Sequence, residues 1–129
     1  MVTVSGMPSL AQASLTDAER RTLERLVPLL EEEFGETLRS VWLYGSRARG
    51  EPPHEDSDID LLIVADDAKS DGVGRAYRRI DEAAAGEKLG FMLFSPHVYT
   101  PEHVAQRREI RSFFIQEVDR DKIVLYGEP

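Results

Sequence analysis

Two short segments hold the residue types that phosphate chemistry needs. Gly45-Ser46-Arg47-Ala48-Arg49-Gly50 puts glycine, hydroxyl and guanidinium groups in one turn, and Asp58-Ile59-Asp60 opens an apolar run soon after it. On a strand, residues i and i+2 share a face and lie roughly 6.6–7 Å apart. Asp58 and Asp60 therefore point the same way, with Ile59, Leu61 and Ile63 on the other side. Carboxylates this close repel, which pushes one toward protonation unless a cation intervenes. Such oxygen donors suit Mg²⁺ (or Mn²⁺) held together with substrate phosphates, so Asp58 and Asp60 are the candidate metal ligands and catalytic groups.

The turn fits the same purpose. Glycine at position 45 lets backbone amides approach an anion, and a helix starting at Ser46 would aim its free amides and positive end at phosphate. Ser46 adds a hydroxyl, while Arg47 and Arg49 add fork-shaped donors. Gly45, Ser46, Arg47 and Arg49 are thus the candidate nucleotide-binding residues. Two arginines this close on a short helix cannot both face inward, and Arg47 is assigned the inner place. An Asp-x-Asp alone is commonly a solvated strand end, and a lone Gly-Ser-Arg an ordinary turn. Their order (strand, Gly-Ser turn, loop, acidic strand) raises the pair above either part.

The elements that must position these groups can be read from pattern. Thr16-Asp17-Ala18-Glu19 is a capping box. Leu23, Leu26, Val27, Leu30 and Phe34 come next at helical spacing, with Pro28 expected to kink the helix and Gly35 to end it. Ser40 to Tyr44 and Asp58 to Val64 read as strands, the second buried on both faces. Asp71 is expected to cap a helix reaching about Ala85. Leu89 to Tyr99 reads as a third strand interrupted by Pro96, and Lys122 to Tyr126 as a last one. Thr100-Pro101 starts a helical pattern that continues through Val104, Ile110, Phe113, Phe114 and Val118. Arg75, Arg78 and Arg79 read as a solvated face, Tyr44 and Trp42 as core, and Phe113 and Phe114 as core or interface.

Composition bounds the answer. At 129 residues the chain is one domain by length, and 41% hydrophobic with 31% charged residues is the balance of a folded protein. A net charge of −8 argues against duplex nucleic acid, which is held by basic surfaces. The absence of cysteine excludes disulfides, thiolate nucleophiles and Cys-ligated zinc. His54, His97 and His103 are too scattered for a zinc site, with His54 expected to be solvated. Met1 to Ser14 lacks the pattern of a signal peptide, and no apolar run is long enough to span a membrane, so a cytoplasmic location is expected. Residues 1–15 are expected to form a disordered tail, with the domain over 16–129.

Gly45-Ser46-Arg47-Ala48-Arg49-Gly50-Glu51 and Ser57-Asp58-Ile59-Asp60-Leu61 closely resemble the signature of the minimal nucleotidyltransferase (MNT) family. These are small relatives of kanamycin nucleotidyltransferase in the DNA polymerase β-like superfamily. The likeness extends in element order over roughly Thr16 to Gly127, including Tyr99-Thr100-Pro101-Glu102 and Ile123-Val124-Leu125-Tyr126-Gly127. It implies an α+β fold, a small mixed sheet flanked by helices, with nucleotide and Mg²⁺ held at Ser46, Asp58 and Asp60. It also implies transfer of a nucleoside monophosphate, AMP from ATP, to an acceptor hydroxyl with release of pyrophosphate.

Eleven residues separate Ser46 from Asp58, against about ten in the commonest form of the pattern, a harmless loop difference. A second departure bears on chemistry. Catalysing relatives carry a third carboxylate on a later strand, and the corresponding place falls at about Ser95, with His97 on the same face if the strand stays regular. Serine is a poor metal ligand and no base at neutral pH. Short family members resemble the antitoxin half of a two-gene module whose other half is a helical HEPN-domain protein. The partners implied are a nucleoside triphosphate and a separate HEPN protein, with a homodimer left open. The alternative is a nucleotide-binding module of weak or lost activity that inhibits its HEPN partner by occupying it.

Overall fold

Alternating strands account for the sheet. β1 (Leu38–Tyr44) lies antiparallel to β2 (Ile59–Ala65) and to β4 (Ile123–Gly127), while β2 pairs in parallel with β3 (Phe94–Tyr99). The resulting order is β3-β2-β1-β4, the mixed sheet that was expected. The computed structural model describes residues 8–53, 57–68 and 71–129, so residues 1–7 of the expected tail and His54 lie outside the described residues.

Each face of the sheet is covered separately. Val41, Leu43, Ile59, Leu61, Ile63 and Phe94 pack against helices α1 (Asp17–Phe34) and α3 (Gly72–Ala85). Trp42, Tyr44, Leu62 and Val64 face the other way, under Val104 of α4 (Pro101–Glu109) and Ile115 and Val118 of α5 (Phe113–Asp121). Burial of β2 on both faces explains its unbroken apolar run. The parallel β2–β3 pairing requires a crossover, and α3 supplies it.

The capping box at the start of α1 forms, with the Glu19 amide on Thr16 Oγ1 and the Thr16 amide on Glu19 Oε1. The proline does not end this helix. α1 continues through Pro28 because Leu26, Val27 and Leu30 are buried on either side of the missing donor. Pro96 sits inside β3, tolerated because β3 is an edge strand. Phe91–Leu93 forms a 3₁₀ turn before it, so the strand starts later than its apolar pattern suggested.

Three expectations need correction. The helical pattern from Pro101 to Val118 is two helices, broken where Arg111 takes φ +53° and Ser112 caps α5 through the Ile115 amide. Residues 8–15 are not a loose tail. Pro8–Gln12 forms a 3₁₀ turn whose Leu10 is buried, and the Ser14 amide donates to the Arg47 carbonyl. Arg75 and Arg79 are not a solvated face either, since both donate to Glu33 of α1 and tie α3 to it, leaving Arg78 as the exposed member.

Candidate functional site

β1 ends at Tyr44 and the chain turns at once into α2 (Gly45–Arg49), a helix of five residues. Tyr44 pairs across the sheet with Asp60, which brings the turn directly beside the acidic strand. Gly45 is what makes this approach fit. Its φ is +83°, and a Cβ built there would overlap Asp60 Oδ2 and stand 3.3 Å from Asp60 Cγ. The Asp60 carboxylate thus fills the space that any larger residue at position 45 would need. Asp58 is exposed just before β2 begins, and its charge acts on Asp60, which is partly buried.

The electrostatics are those of an acid pair that lacks a counterion. Burial first, then the charges of Asp58 and Glu117, push the Asp60 carboxyl up to about 6 against the pull of Arg49 and Arg47. Among the described residues neither the Asp58 nor the Asp60 carboxylate takes part in a hydrogen bond or ion pair. Glu19 and Asp121 nearby are both held by arginine. A divalent cation bound with phosphates fits this donor set, two carboxylates beside the Gly45 turn that hold no hydrogen bond or ion pair among the described residues. No three acidic or histidine side chains among the described residues form a ready metal cage, so such an ion would take its other ligands from substrate and water.

The two arginines do not behave as the spacing suggested. Arg47 faces inward, but into the protein and away from solvent. Its Nη1 donates to Glu19 Oε1 at 2.8 Å and to the Ser14 carbonyl at 3.0 Å. Its Nε and Nη2 donate to the Ser57 hydroxyl and carbonyl at 2.9 and 3.1 Å. With a side chain only 5% exposed, Arg47 is no phosphate ligand. It fastens the residue before Asp58 to the start of α1. Burial pushes the Glu19 carboxyl up, yet the hydrogen bonds from Arg47 and Thr16 outweigh it and hold the group below its ordinary range. Arg49 stays at the surface, its Nε on Glu51 at 2.7 Å and its Nη1 on Asp121 of α5 at 2.6 Å. Ser46 does not cap α2, because Gly45 is already the first helical residue. Its hydroxyl lies 3.4 Å from that of Ser57, a long contact easily given up to a ligand.

Ser95 and His97, the residues expected at the third position, both lie on β3. Ser95 pairs with Asp60 in the parallel register, and His97 pairs with Leu62 two residues further on. No carboxylate stands there. His97 is occupied by its surroundings: Nδ1 lies 3.3 Å from the Tyr44 hydroxyl, and the ring packs on Phe114 and Tyr99. Burial, followed by the charge of Asp60, raises the Tyr44 phenol so that it stays protonated. The phenol and Nδ1 are thus within hydrogen-bond distance, with the donor set by the imidazole tautomer. Burial lowers His97 and keeps it neutral. Trp42 lies in the core as expected, with Lys122 Nζ 4.1 Å from its ring centre.

A five-residue helix opening at Gly45 thus abuts the strand that carries Asp60, with Asp58 just before it, and this arrangement can be compared with known families. The family model described as "nucleotidyltransferase domain" matches residues 23–126. The chain belongs to this nucleotidyltransferase family. No curated protein sequence matches it. Among solved structures, it is similar to a chain in the complex of tri-AMPylated Shewanella oneidensis HEPN toxin with MNT antitoxin. That likeness has 14% identity and a TM-score of 0.50, covering 84% of this chain and 72% of the other. A toxin–antitoxin complex with AMP-PNP gives 19% identity and a TM-score of 0.52, covering 82% and 73%. A mutant MntA–HpeT toxin–antitoxin complex gives 18% and 0.51, covering 81% and 72%. At these identities the likeness establishes a shared fold. Among the described residues, no helix is long and apolar enough to cross a membrane.

One feature of the site gave no signal in the sequence. α5 lies over the site, its Phe114 ring 5.6 Å from that of Tyr44 and its Asp121 on Arg49. Nothing in the periodicity of residues 101–118 separates a helix that meets Tyr44 and Arg49 from one that merely packs.

Proposed function

We propose that this nucleotidyltransferase moves AMP from ATP to a hydroxyl on a separate helical HEPN-domain protein, as the antitoxin of a two-protein module in the cytoplasm. The observation that carries this is the seating of the Asp60 carboxylate against Gly45, which joins the acid pair to the anion-receiving turn. The similar solved complexes, one with AMPylated HEPN toxin and one with AMP-PNP, support the choice of nucleotide and partner. In this reading Asp58 and Asp60 hold Mg²⁺ or Mn²⁺, which when bound neutralises phosphate charge and polarises the α-phosphoryl group. Ser46 and the Gly45–Ser46 amides receive the phosphates, and Arg49 supplies positive charge from the rim. Arg47 only braces the site.

Labelled ATP with Mg²⁺ and the protein encoded beside this one tests the reading. Label should pass to the partner with the native chain and be lost in Asp58→Ala/Asp60→Ala. Ser95 beside Asp60 favours a second reading, an inhibitory nucleotide-binding module. Under that reading ATP–Mg²⁺ binds but no label moves.

Both readings predict a stabilised fold. ATP–Mg²⁺ at a hundred times its dissociation constant should add about 2.7 kcal/mol, seen as a higher melting temperature. An unchanged melting curve at millimolar nucleotide would remove the pocket from both accounts. Ser46→Ala should weaken nucleotide binding by roughly tenfold or more, the worth of one hydrogen bond to a charged group. Its melting temperature without ligand should stay close to native, since Ser46 caps nothing. Isothermal titration with a non-hydrolysable ATP analogue measures the first, and a thermal scan the second.

A further inference from the structure

The site has a proton to dispose of and no carboxylate on β3 to take it. The acceptor hydroxyl must lose its proton as it attacks, and the place beside Asp60 belongs to Ser95, which is no base. His97 is not free to serve through its near nitrogen, because that nitrogen is engaged with the Tyr44 hydroxyl. α5 brings another carboxylate to this corner. Phe114, Glu117 and Asp121 recur at helical spacing on one stripe of α5. The first packs on Tyr44, the strand partner of Asp60, and the last binds Arg49 of α2. Glu117 lies between them, with Oε2 3.8 Å from Arg49 Nη1 and 43% of its side chain exposed. It is therefore placed over the strand end that carries Asp60 while remaining open to a second molecule.

We infer that Glu117, reaching in from α5, is the general base that accepts the acceptor hydroxyl's proton in place of a carboxylate on β3. The inference rests on the nucleotidyl-transfer reading above. In the step, the acceptor oxygen bonds to the α-phosphorus as its proton passes to the Glu117 carboxylate. The bond from the α-phosphorus to the bridging oxygen breaks, and pyrophosphate leaves with that electron pair. The proton reaches solvent when the products depart. Glu117 is not needed to hold the nucleotide. Its charge is also felt at both Asp60 and Tyr44, as a group at this corner requires.

Glu117→Gln and Glu117→Ala test it, with AMP transfer from labelled ATP–Mg²⁺ monitored both to water and to the partner encoded beside this chain. Both variants should lose about a hundredfold in transfer rate. Both should keep the native rise in melting temperature with ATP–Mg²⁺. Sodium formate should restore at least a tenth of the lost rate to Glu117→Ala and none to Asp60→Ala, because it can replace a base but not a fixed acid on β2. Transfer at the native rate in Glu117→Gln would overturn the assignment. So would a loss accompanied by a vanished melting shift, or a loss that formate leaves untouched. Failure of the native protein to transfer AMP to either acceptor would instead strike the nucleotidyl-transfer reading, and the base would fall with it.

Discussion

Arg47→Ala should destabilise the protein by about 3–5 kcal/mol, the cost of leaving one partner of a buried ion pair uncompensated. For a chain of this size that is a melting temperature lower by roughly 10–20 °C. The guanidinium serves three segments at once: the Glu19 carboxylate in α1, the Ser14 carbonyl before it, and Ser57 next to Asp58. Removing it strands the Glu19 charge in a place where water cannot reach it. Arg47→Met/Glu19→Leu removes both charges, and burying apolar groups of similar volume there should recover the part of the loss that comes from the uncompensated Glu19 charge. Recovery will be incomplete, because Glu19 also satisfies the Thr16 amide, and the Ser14 carbonyl and the Ser57 hydroxyl and carbonyl lose the donors that Arg47 gave them. The double variant should still transfer AMP poorly, since nothing then holds Ser57 and the adjoining Asp58. Chemical denaturation of the three proteins checks the energies, and labelled ATP checks the rates. A phosphate-binding Arg47 would give the opposite pattern, with native stability in Arg47→Ala and lost affinity for ATP.

Arg47 marks the boundary between what could be read from the chain and what could not. The acid pair and the Gly-Ser turn were legible because strand geometry and glycine's freedom are local rules. Two residues apart on a strand means one face, and a turn beside a strand end means proximity. The pairing of Ser95 with Asp60 follows from the parallel register, which continues through Pro96. The direction of Arg47 was not local. On a five-residue helix either arginine could turn inward, and the choice was made by Glu19, 28 residues earlier. The same holds for Arg75 and Arg79, whose partner Glu33 lies 42 and 46 residues away.

The break between α4 and α5 was hidden for a different reason. No glycine or proline marks it. Arg111 takes the left-handed conformation, and the only cue was a serine, Ser112, able to cap α5. That break sets how α5 meets Tyr44 and Arg49, and with it the position of Glu117. Leu10 and Ala13 were likewise too few to announce a packed segment, though they are buried. For Arg47, Arg75 and Arg79 the missing information is the identity of a distant partner, while at the α4–α5 break it is the conformation of Arg111 itself.

Gly45→Ala should abolish most transfer while leaving the fold intact, which separates the chemistry of the site from its stability. Two effects act at this position. The backbone sits at φ +83°, where a side chain costs about 1–3 kcal/mol. The new methyl group would also occupy the space now held by Asp60 Oδ2. β2 cannot yield, because Asp60 is paired with Tyr44 on one side and Ser95 on the other. The carboxylate must therefore rotate away from the turn. A displacement of about 1 Å in a catalytic group can cost a hundredfold in rate, so transfer should fall by roughly that factor or more. Gly50→Ala is the matching control. Gly50 has φ +81°, and a Cβ there would stand 2.7 Å from the Gln12 carbonyl, so its strain is comparable. No part of Asp58 or Asp60 is among the atoms that Cβ would meet. Gly50→Ala should lose similar stability yet keep transfer within a few-fold of native. Equal losses of transfer in the two variants would mean that backbone strain in α2 governs the rate, and that the contact between Gly45 and Asp60 does not.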